Sequence, residues 1–580
     1  MKYGSASSKW ISMLGIISLV FTLTIVPSPV IMAQEAAADS QEAAKTSANS
    51  DLPPLPLSPI EIAEKDGSAL RMSLKDITKL ALQYNLDIAI QDTNEEISQQ
   101  KILQAQGDYD PKLTGTLGVQ SRKTANQSTY QYSAAKYNQN DNATWNFSFQ
   151  KTVKTGGTFQ AQWNSSRQES NSTSNLFNPN YGATASVQFT QPLWRNLKID
   201  STRGNIKLVN LDLESTDSKF KQKVTETIAN IQQQYWDLVS AIRDYDIKRS
   251  SVKLGQITLR DNKKKVDVGT LAPIAITEAQ ADLKSRELNL ISSEEQILRQ
   301  ENTVRQLISN DRNSEIWSKV IIPTDQPDFV EYKVDLNTAI ETALQKRPEL
   351  AQYDIQLRQS DINLKMTQNS RKWQVNLIGQ FGSQGTAGPQ SYLLNNYTGE
   401  PQLDENGNKI PSIPPYLVGG LGHAYKTVFT EGFTTWQVSF QLDIPLRTRN
   451  LDSQYAQQKV QRQQTLMNRR SQEQNIQVEI RNAVQKLKTN RQQVEQAKMQ
   501  QQLSKEQLDG EVKRYDAGLS ENFRVLDRQN QLAMSENTYL VNLINYKKAI
   551  IALQKAMYTL LESNEFEIAK SSAGNVPDLK

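Results

Sequence analysis

The second half of this chain of 580 residues repeats the layout of the first half. Each half runs in the order helix, alternating β segment, Pro, very long polar helix, Gly turn and helix. The opening segment Leu74 to Leu86 (LKDITKLALQYNL) matches Leu336 to Pro348 (LNTAIETALQKRP) at an offset of 262. An internal duplication of this size restricts the possible architectures more strongly than any single residue does.

Composition excludes several kinds of site. The chain has no Cys and a single His, His423. This rules out disulfides, thiolate metal sites and Cys nucleophiles, and it leaves only His423 for a His-dependent triad. The net charge of +4 is too small to indicate nucleic-acid binding, and the mean hydropathy of −0.60 excludes a bundle of membrane-spanning helices. We therefore expect no catalytic residue, no cofactor, no metal and no nucleic-acid partner.

The N-terminal segment has the features of an export signal. Lys2 and Lys9 precede the apolar stretch Ile11 to Val26, and a plausible cleavage site ends at Ala33. The alternative is an uncleaved membrane anchor. We predict a signal peptide over residues 1–33. The segment 34–73 begins with a run rich in Ala, Ser and Pro, which predicts a disordered linker.

Six segments between the helices alternate strictly between apolar and polar residues. Alternation alone would also fit an antiparallel sheet on a soluble core. However, the segments are about 9–11 residues long, which is enough to span a bilayer when tilted. Their apolar faces carry Trp and Phe near the ends, and their polar faces are Gln, Asn, Ser and Thr, which favours an outer-membrane barrel around a water-filled lumen. The six segments are Leu113–Ser121, Ala143–Val153, Thr158–Ser166, Ala183–Gln191, Trp373–Phe381 and Thr435–Asp443.

Loop lengths add a topology to these strands. The short turn Lys154 to Gly157 is expected on the periplasmic side. The polar loops 122–142 and 167–182, and the loop of about 50 residues between Phe381 and Thr435, are expected outside the cell.

The helices are long and polar on most sides. Asn196 to Lys265 contains no Pro, and both it and the last helix carry an apolar stripe with alternating spacings of three and four, which is typical of a coiled-coil seam. Such a narrow stripe suits a tunnel wall that is wet on both faces and touches its neighbours only at its flanks. The stripes are Val224, Ile228, Ile231, Tyr235, Leu238 and Ile242, and Leu543, Tyr546, Ile550, Leu553, Met557 and Leu560.

Helix lengths predict how the wall is built. Asn196 to Lys265 would extend roughly 100 Å at 1.5 Å per residue. The other helices are about half as long, so two of them stacked end to end match one long helix. We expect Ala275–Asn310 to stack on Leu336–Arg371, and Leu74–Gly107 to stack on Glu521–Leu561.

Each helical hairpin turns at a Gly, in the sequences Val268-Gly269-Thr270 and Ala517-Gly518-Leu519. Gly readily adopts the positive φ that the position after a helix end requires. These residues are either simply helix caps or exposed tips at the far end of the tunnel that a partner can reach.

The ordered, duplicated set of motifs resembles the TolC family of bacterial outer-membrane efflux proteins, over about Leu74 to Leu561. The matching features are the two openings described above, the strand-to-helix junctions Gln191-Pro192-Leu193 and Ile444-Pro445-Leu446, and the two Gly tips. None of these motifs is specific alone, but their order in duplicate is.

The resemblance implies an α+β membrane protein built from two internal repeats. Three chains would share one outer-membrane β-barrel, with four to six strands each, above a periplasmic α-helical tunnel of coiled-coil hairpins. It also implies a homotrimer, located in the outer membrane and extending into the periplasm, that contacts lipid and works with a periplasmic adaptor and an inner-membrane pump. The adaptor would dock on the tips, formed by Gly269, Thr270, Leu271, Gly518, Leu519 and Ser520.

These features divide the chain into successive segments. After the signal peptide (1–33) and linker (34–73) come the first-repeat helix, strands and tunnel hairpin at 74–112, 113–192 and 193–310. An equatorial connector follows at 311–335. The second-repeat helix, strands with external loop, and tunnel hairpin follow at 336–372, 373–445 and 446–562, and a tail closes the chain at 563–580.

Family members commonly carry acidic residues just past the second tip, where the tunnel narrows to a gate. Here Asp527 fits one such position, but Arg524 occupies the neighbouring one. The matched positions of the first half are Ala275 and Glu278. Arg524 and Asp527 therefore either form a surface ion pair or line the pore constriction in rings of three.

The strand count also departs from the family, which usually has four strands per chain. Six strands per chain in a trimer would give 18 strands. The alternative is a barrel of 12 strands with the hairpin 143–166 standing above it on the outer side.

The leading functional prediction is a passive export channel of a tripartite efflux or type I secretion system. A structural or adhesive envelope protein with a coiled-coil stalk is the alternative. An enzyme, such as an outer-membrane hydrolase, is the third possibility. Ser and Asp are plentiful, but the single His, His423, lies in a Gly-rich predicted external loop.

Overall fold

The structure is a computed structural model that describes residues 54–125 except 56, 137–171, 177–395 and 400–564. The predicted signal peptide, most of the predicted linker and all but the start of the C-terminal tail lie outside these residues.

Two very long helices and one sheet dominate the fold. The helices are α1 Pro59–Asp66, α2 Leu74–Tyr84, α3 Leu86–Gln106, α4 Ser201–Asp267, α5 Ile274–Ile308, α6 Leu336–Lys346, α7 Pro348–Ser370, α8 Leu421–Thr430, α9 Arg449–Asp516, α10 Asn522–Ala556 and α11 Leu560–Ser563. The strands are β1 Ala69–Met72, β2 Lys112–Ala125, β3 Tyr137–Thr152, β4 Thr158–Ser170, β5 Asn180–Pro192, β6 Val320–Pro323, β7 Gln374–Ala387 and β8 Thr434–Asp443.

The long helices α4 and α9 have 67 and 68 residues, and each turns at a Gly into a helix of 35 residues, α5 or α10. At 1.5 Å per residue each long helix extends about 100 Å. The predicted apolar stripes lie in two cores, one around α4 and one between α9 and α10. In the part of the chain that the structure describes, no helix has both the length and the apolar character to cross a membrane.

The short helices do stack to match the long ones, but the predicted pairing is wrong. α3 continues α5, because the Asn85 side-chain amide donates to the Leu307 carbonyl oxygen at 2.9 Å. α7 continues α10, because Lys346, just before α7, pairs with Glu562 beyond the end of α10 at 2.5 Å. Each repeat therefore supplies one long helix and the two stacked short helices that run beside it.

The cause of this pairing lies in the segment that was predicted to be a disordered linker, a prediction that is wrong for residues 59–72. Ser58 and Glu61 form a capping box at the start of α1. β1 then pairs in parallel with β6, with Ala69 opposite Val320. Because β6 follows α5, this pairing holds the start of α2 and α3 beside the end of α5.

The larger sheet has six antiparallel strands in the order β2-β3-β4-β5-β7-β8. All six strands extend beyond the predicted segments, mainly at the ends away from the helices. The hairpin of β3 and β4 lies inside the sheet, between β2 and β5. Its turn contacts the start of the tunnel wall, since a Cβ at Gly156 would lie 2.7 Å from the Asn196 carbonyl oxygen. The hairpin therefore does not stand above the other strands, and its turn lies on the helical side as predicted.

The two faces of this sheet differ in chemistry. One face carries most of the large apolar side chains and the other carries Gln, Asn, Ser and Thr, as the alternation predicted. The apolar face, called here the apolar band, includes Leu117, Trp145, Phe147, Trp163, Val187, Phe381, Trp436, Val438 and Phe440.

Buried tyrosines fasten the connector between the repeats to the helices. The hydroxyl of Tyr235, which is fully buried, donates to the Asp325 carboxylate, and that carboxylate also accepts from the Leu74 backbone N–H at 2.7 Å. Burial raises the pKa of Tyr235, so the phenol stays a neutral donor. In the second repeat the Tyr546 hydroxyl donates to the Val330 carbonyl oxygen at 3.1 Å and accepts from the Tyr332 N–H at 2.9 Å.

We predict that Tyr235→Phe lowers the stability of the helical region by about 1–3 kcal/mol, because it leaves the half-buried Asp325 carboxylate without one donor. Thermal unfolding followed by circular dichroism measures the loss. Tyr245→Phe is the matched control, because Tyr245 is equally buried and the described residues show no hydrogen bond to its hydroxyl. Equal losses in the two variants would contradict the role given to Asp325.

Candidate export conduit and its hairpin tips

Both helical hairpins end in the same backbone motif. Gly269 and Gly518 have φ of 74° and 72°. The N–H of Gly269 donates to the Val266 carbonyl oxygen, and the next N–H, that of Thr270, donates to the Lys265 carbonyl oxygen, both at 2.9 Å. Gly518 and Leu519 repeat this pattern on Tyr515 and Arg514. These are Schellman caps, which satisfy the last carbonyl groups of each long helix.

The two tips expose apolar side chains beside these glycines. Val268 is 73% exposed and Leu519 is 80% exposed. Leu271 and Ser520 are half-buried, and the Ser520 hydroxyl donates to the Glu511 carboxylate. No atom lies within 4 Å of a Cβ built on either tip glycine, so this end of the molecule is open.

Asn262 joins the two hairpins near their tips. It is 1% exposed, its side-chain N–H donates to the Asn522 side-chain oxygen at 3.0 Å, and its own oxygen accepts from the Tyr515 hydroxyl at 3.2 Å. Burial, with a further contribution from Asp516, raises the pKa of Tyr515 and keeps its hydroxyl protonated. Lys265 lies over the Tyr515 ring at 3.9 Å and completes this contact.

A second set of polar contacts lies further along the tunnel wall. Arg286 is 5% exposed and pairs with Asp282 at 2.6 Å. Its guanidinium also donates to the Gln529 side-chain oxygen at 3.2 Å, and the Gln529 amide donates to the Thr258 hydroxyl at 3.2 Å. Together with Asn262, this group fixes the spacing of the two hairpins.

Arg524 and Asp527 lie in the first two turns of α10, on its exposed side, while Asn522, Val525 and Leu526 face the neighbouring helices. Although both are fully described, no ion pair joins Arg524 to Asp527 in the structure. In the first repeat the matched Ala275 is 5% exposed, whereas Glu278 is exposed.

His423 does not form part of a triad in the described residues. Its Nε2 lies 2.8 Å from the Tyr416 carbonyl oxygen, at the start of α8. The described residues also contain no group of three or more His, Asp or Glu that could hold a metal ion.

The family model for outer membrane efflux proteins matches residues 152–310 and 339–557. The chain belongs to the outer membrane efflux protein family. The two matched segments each contain a long helix, a Gly tip and its returning helix, so the matches follow the duplication. The predicted resemblance to the TolC family is confirmed, and so is the location in the outer membrane with an extension into the periplasm.

Solved structures with the same fold are channels of this kind. The Campylobacter jejuni CmeC outer membrane channel is 16% identical, with a TM-score of 0.57, over 86% of each chain. The Vibrio cholerae outer membrane protein VceC is 14% identical, with a TM-score of 0.54, over 83% of this chain and 95% of that one. The Neisseria gonorrhoeae MtrE outer membrane channel, in its open state, is 14% identical, with a TM-score of 0.54, over 84% and 89%. No curated protein matches the chain.

We predict that Asn262→Leu raises the single-channel conductance. The variant removes the two hydrogen bonds by which Asn262 contacts the other hairpin, worth about 0.5–1.5 kcal/mol each, and so favours separation of the tips. Asn490→Leu is the control, because Asn490 is also buried but bonds to Asn545 within one hairpin at 3.0 Å. Equal conductance in the two variants would contradict a spacing role for Asn262.

We also predict that Asp527→Ala raises the conductance, because three shorter, uncharged side chains would widen and neutralise a constriction. Planar-bilayer recording measures this, with Asp509→Ala as the control for an exposed carboxylate on α9 at the same sequence distance from Gly518. An unchanged conductance in Asp527→Ala would show that Asp527 does not line the narrowest part.

Proposed function

We propose that three copies of this chain form one continuous duct, through which solutes pass passively from a periplasmic adaptor and inner-membrane pump to the outside. The chain is an outer-membrane efflux channel of the kind that works in tripartite systems, as its family shows.

The open sheet is the observation that carries the proposal. β2 and β8 are its edges, and every residue of β2 is exposed. A bilayer supplies no water for unpaired backbone groups, so a spanning sheet must close into a barrel. Pairing β2 of one copy with β8 of the next closes it, and three copies of six strands would make 18 strands.

The helical region supports the same arrangement. Exposed apolar side chains lie on both flanks of the tunnel wall of one chain. On the α9 flank they are Val460, Met467, Val478 and Met499, and on the flank of α3 and α5 they are Ile90, Ile97, Leu103, Leu288, Ile291 and Leu298. Several of these are seven residues apart, which is the spacing of a coiled-coil seam. Flanks of this kind fit each other in neighbouring copies.

The polar face of the sheet supports passive conduction. Its residues, such as Asn146, Gln162 and Gln188, are neutral hydrogen-bonding groups on the face opposite the apolar band. A wide lumen with this lining would admit many kinds of solute and would select weakly among them. The energy and the choice of cargo would then come from the partner proteins.

The tips support docking of an adaptor. The end of the wall that is farthest from the sheet is formed by the six tip residues, Gly269, Thr270, Leu271, Gly518, Leu519 and Ser520. Small residues and exposed apolar side chains there would accept a helical hairpin by coiled-coil-like packing. Gly would be required both for its positive φ and for the close approach of the partner backbone.

Purified protein in a planar bilayer tests the channel function directly. Discrete, uniform conductance steps are expected from a trimeric duct. Absence of conductance from protein that is demonstrably inserted would instead favour the structural or adhesive stalk.

We predict that Gly269→Asp and Gly518→Asp abolish export in cells that contain the adaptor and pump, while trimers on native gels stay intact. Gly67→Asp is the matched control, because Gly67 has a φ of 70° and equally open surroundings but lies far from the tips. All three variants carry the same backbone strain of about 1–2 kcal/mol. Export that survives both tip variants would show that the adaptor docks elsewhere.

A further inference from the structure

The loop between β7 and β8 contains a helix, α8, that packs on an unexpected face of the sheet. Its buried residues are Ala424, Thr427 and Val428, which are 0–3% exposed. Tyr425 of the same helix contacts Trp145 and Trp163, which belong to the apolar band. The helix therefore lies on the apolar side of the strands and not over the polar side that faces the lumen.

The sheet has a matching depression under this helix. The strand register places Trp145, Ser165, Ala183 and Gly385 in one row across four strands. Apart from the Trp, these residues are small, and Ser165 and Ala183 are only 1–2% exposed. A Cβ at Gly385 would lie 2.1 Å from the Ala424 carbonyl oxygen, so the helix backbone rests directly on the strand. This patch replaces the large apolar residues found elsewhere in the band.

Hydrogen bonds and ring contacts hold the helix in place. The Trp145 indole N–H donates to the Tyr425 hydroxyl at 2.6 Å, and the Ser383 hydroxyl donates to the Val428 carbonyl oxygen. The Trp163 ring stacks on Phe429 with 6.0 Å between ring centroids. These contacts indicate a built interface between the helix and the sheet.

The other side of the helix is uncovered and carries an exposed aromatic side chain beside Lys426 and Thr430. Phe429 is 77% exposed, and Phe433, just beyond the helix, is 41% exposed. On the same face of the strands, the next rows away from the tunnel contain charged residues, with Arg167 paired to Glu169 at 2.7 Å. The helix therefore lies at the outer limit of the apolar band, where aromatic side chains of outer-membrane barrels meet the membrane surface.

We propose that α8 is an interfacial helix that binds the lipid of the external leaflet of the outer membrane. The exposed rings of Phe429 and Phe433 continue the apolar band, and that band would contact lipid in an outer-membrane protein of this family. Phe429 and Phe433 would enter the acyl region, while Lys426, which is exposed, would reach the headgroups. The helix would thus restore the apolar surface over the small-residue patch and fix the depth of the barrel in the membrane.

Nitroxide labelling tests this, because the chain has no Cys to interfere. Phe429→Cys is labelled and reconstituted in lipid nanodiscs, and power saturation compares collisions with oxygen, which partitions into lipid, and with a nickel chelate, which stays in water. Val438→Cys, in the apolar band and 63% exposed, is the lipid control, and Gln162→Cys on the polar face is the lumen control.

The proposal predicts that the label at 429 favours oxygen over the chelate, as at 438 and opposite to 162. A preference for the chelate would place the helix in water and overturn the proposal. Protection from both agents would mean that protein covers the helix, either a second copy or another partner, and would overturn it as well.

A second variant tests the contact between α8 and the strand below it. Gly385→Ala in the Phe429→Cys background places a Cβ against the Ala424 carbonyl oxygen. The label should become more mobile, because the helix can no longer rest on the strand. An unchanged spectrum would contradict a close contact between α8 and Gly385.

Discussion

The unpaired backbone N–H and C=O groups of two edge strands determine how this molecule can assemble in a membrane. In a bilayer each such group would cost several kcal/mol, so β2 and β8 must find partners outside their own chain. In the proposed trimer, pairing between copies would bring the chains around one axis. The same axis would then determine which helix flanks meet and which side chains face the tunnel.

The duplication is the means by which one chain supplies both membrane strands and a tunnel wall. Each repeat contributes one long helix and a column of two stacked short helices, and each long helix ends in the same Gly cap. Contacts between repeats are polar and few near the tips, centred on Asn262 and Arg286. An apolar seam at this position would be harder to open, whereas individual hydrogen bonds, each worth about 1 kcal/mol, can be exchanged for water.

Much of this fold could be predicted from the sequence because its periodicities are long and regular. The six strands, the two hairpins and both tips follow from alternation, heptads and Gly. The stacking of short helices was predicted wrongly, since it depends on β1 and β6, two strands of four residues that lie 251 positions apart at Ala69 and Val320. The sequence around Ser58 and Glu61 does contain a capping-box signal that could have revealed α1.

The candidate site was predicted only in part, for a related reason. The tips follow from local turn chemistry, but the bond between Asn262 and Asn522 joins residues 260 positions apart with no periodic pattern. The position of α8 on the apolar face was not predicted either. Its signal is the run of small residues at Ala183, Ala185, Ser383 and Gly385, which becomes visible only once the strand register places them together.

A single-particle reconstruction of the purified protein in lipid nanodiscs tests whether the edge strands pair between copies. We expect three copies around one barrel of 18 strands, with β2 of each copy hydrogen-bonded to β8 of the next. A barrel of 12 strands with the hairpin of β3 and β4 outside it, or a barrel closed within one chain, would contradict this arrangement.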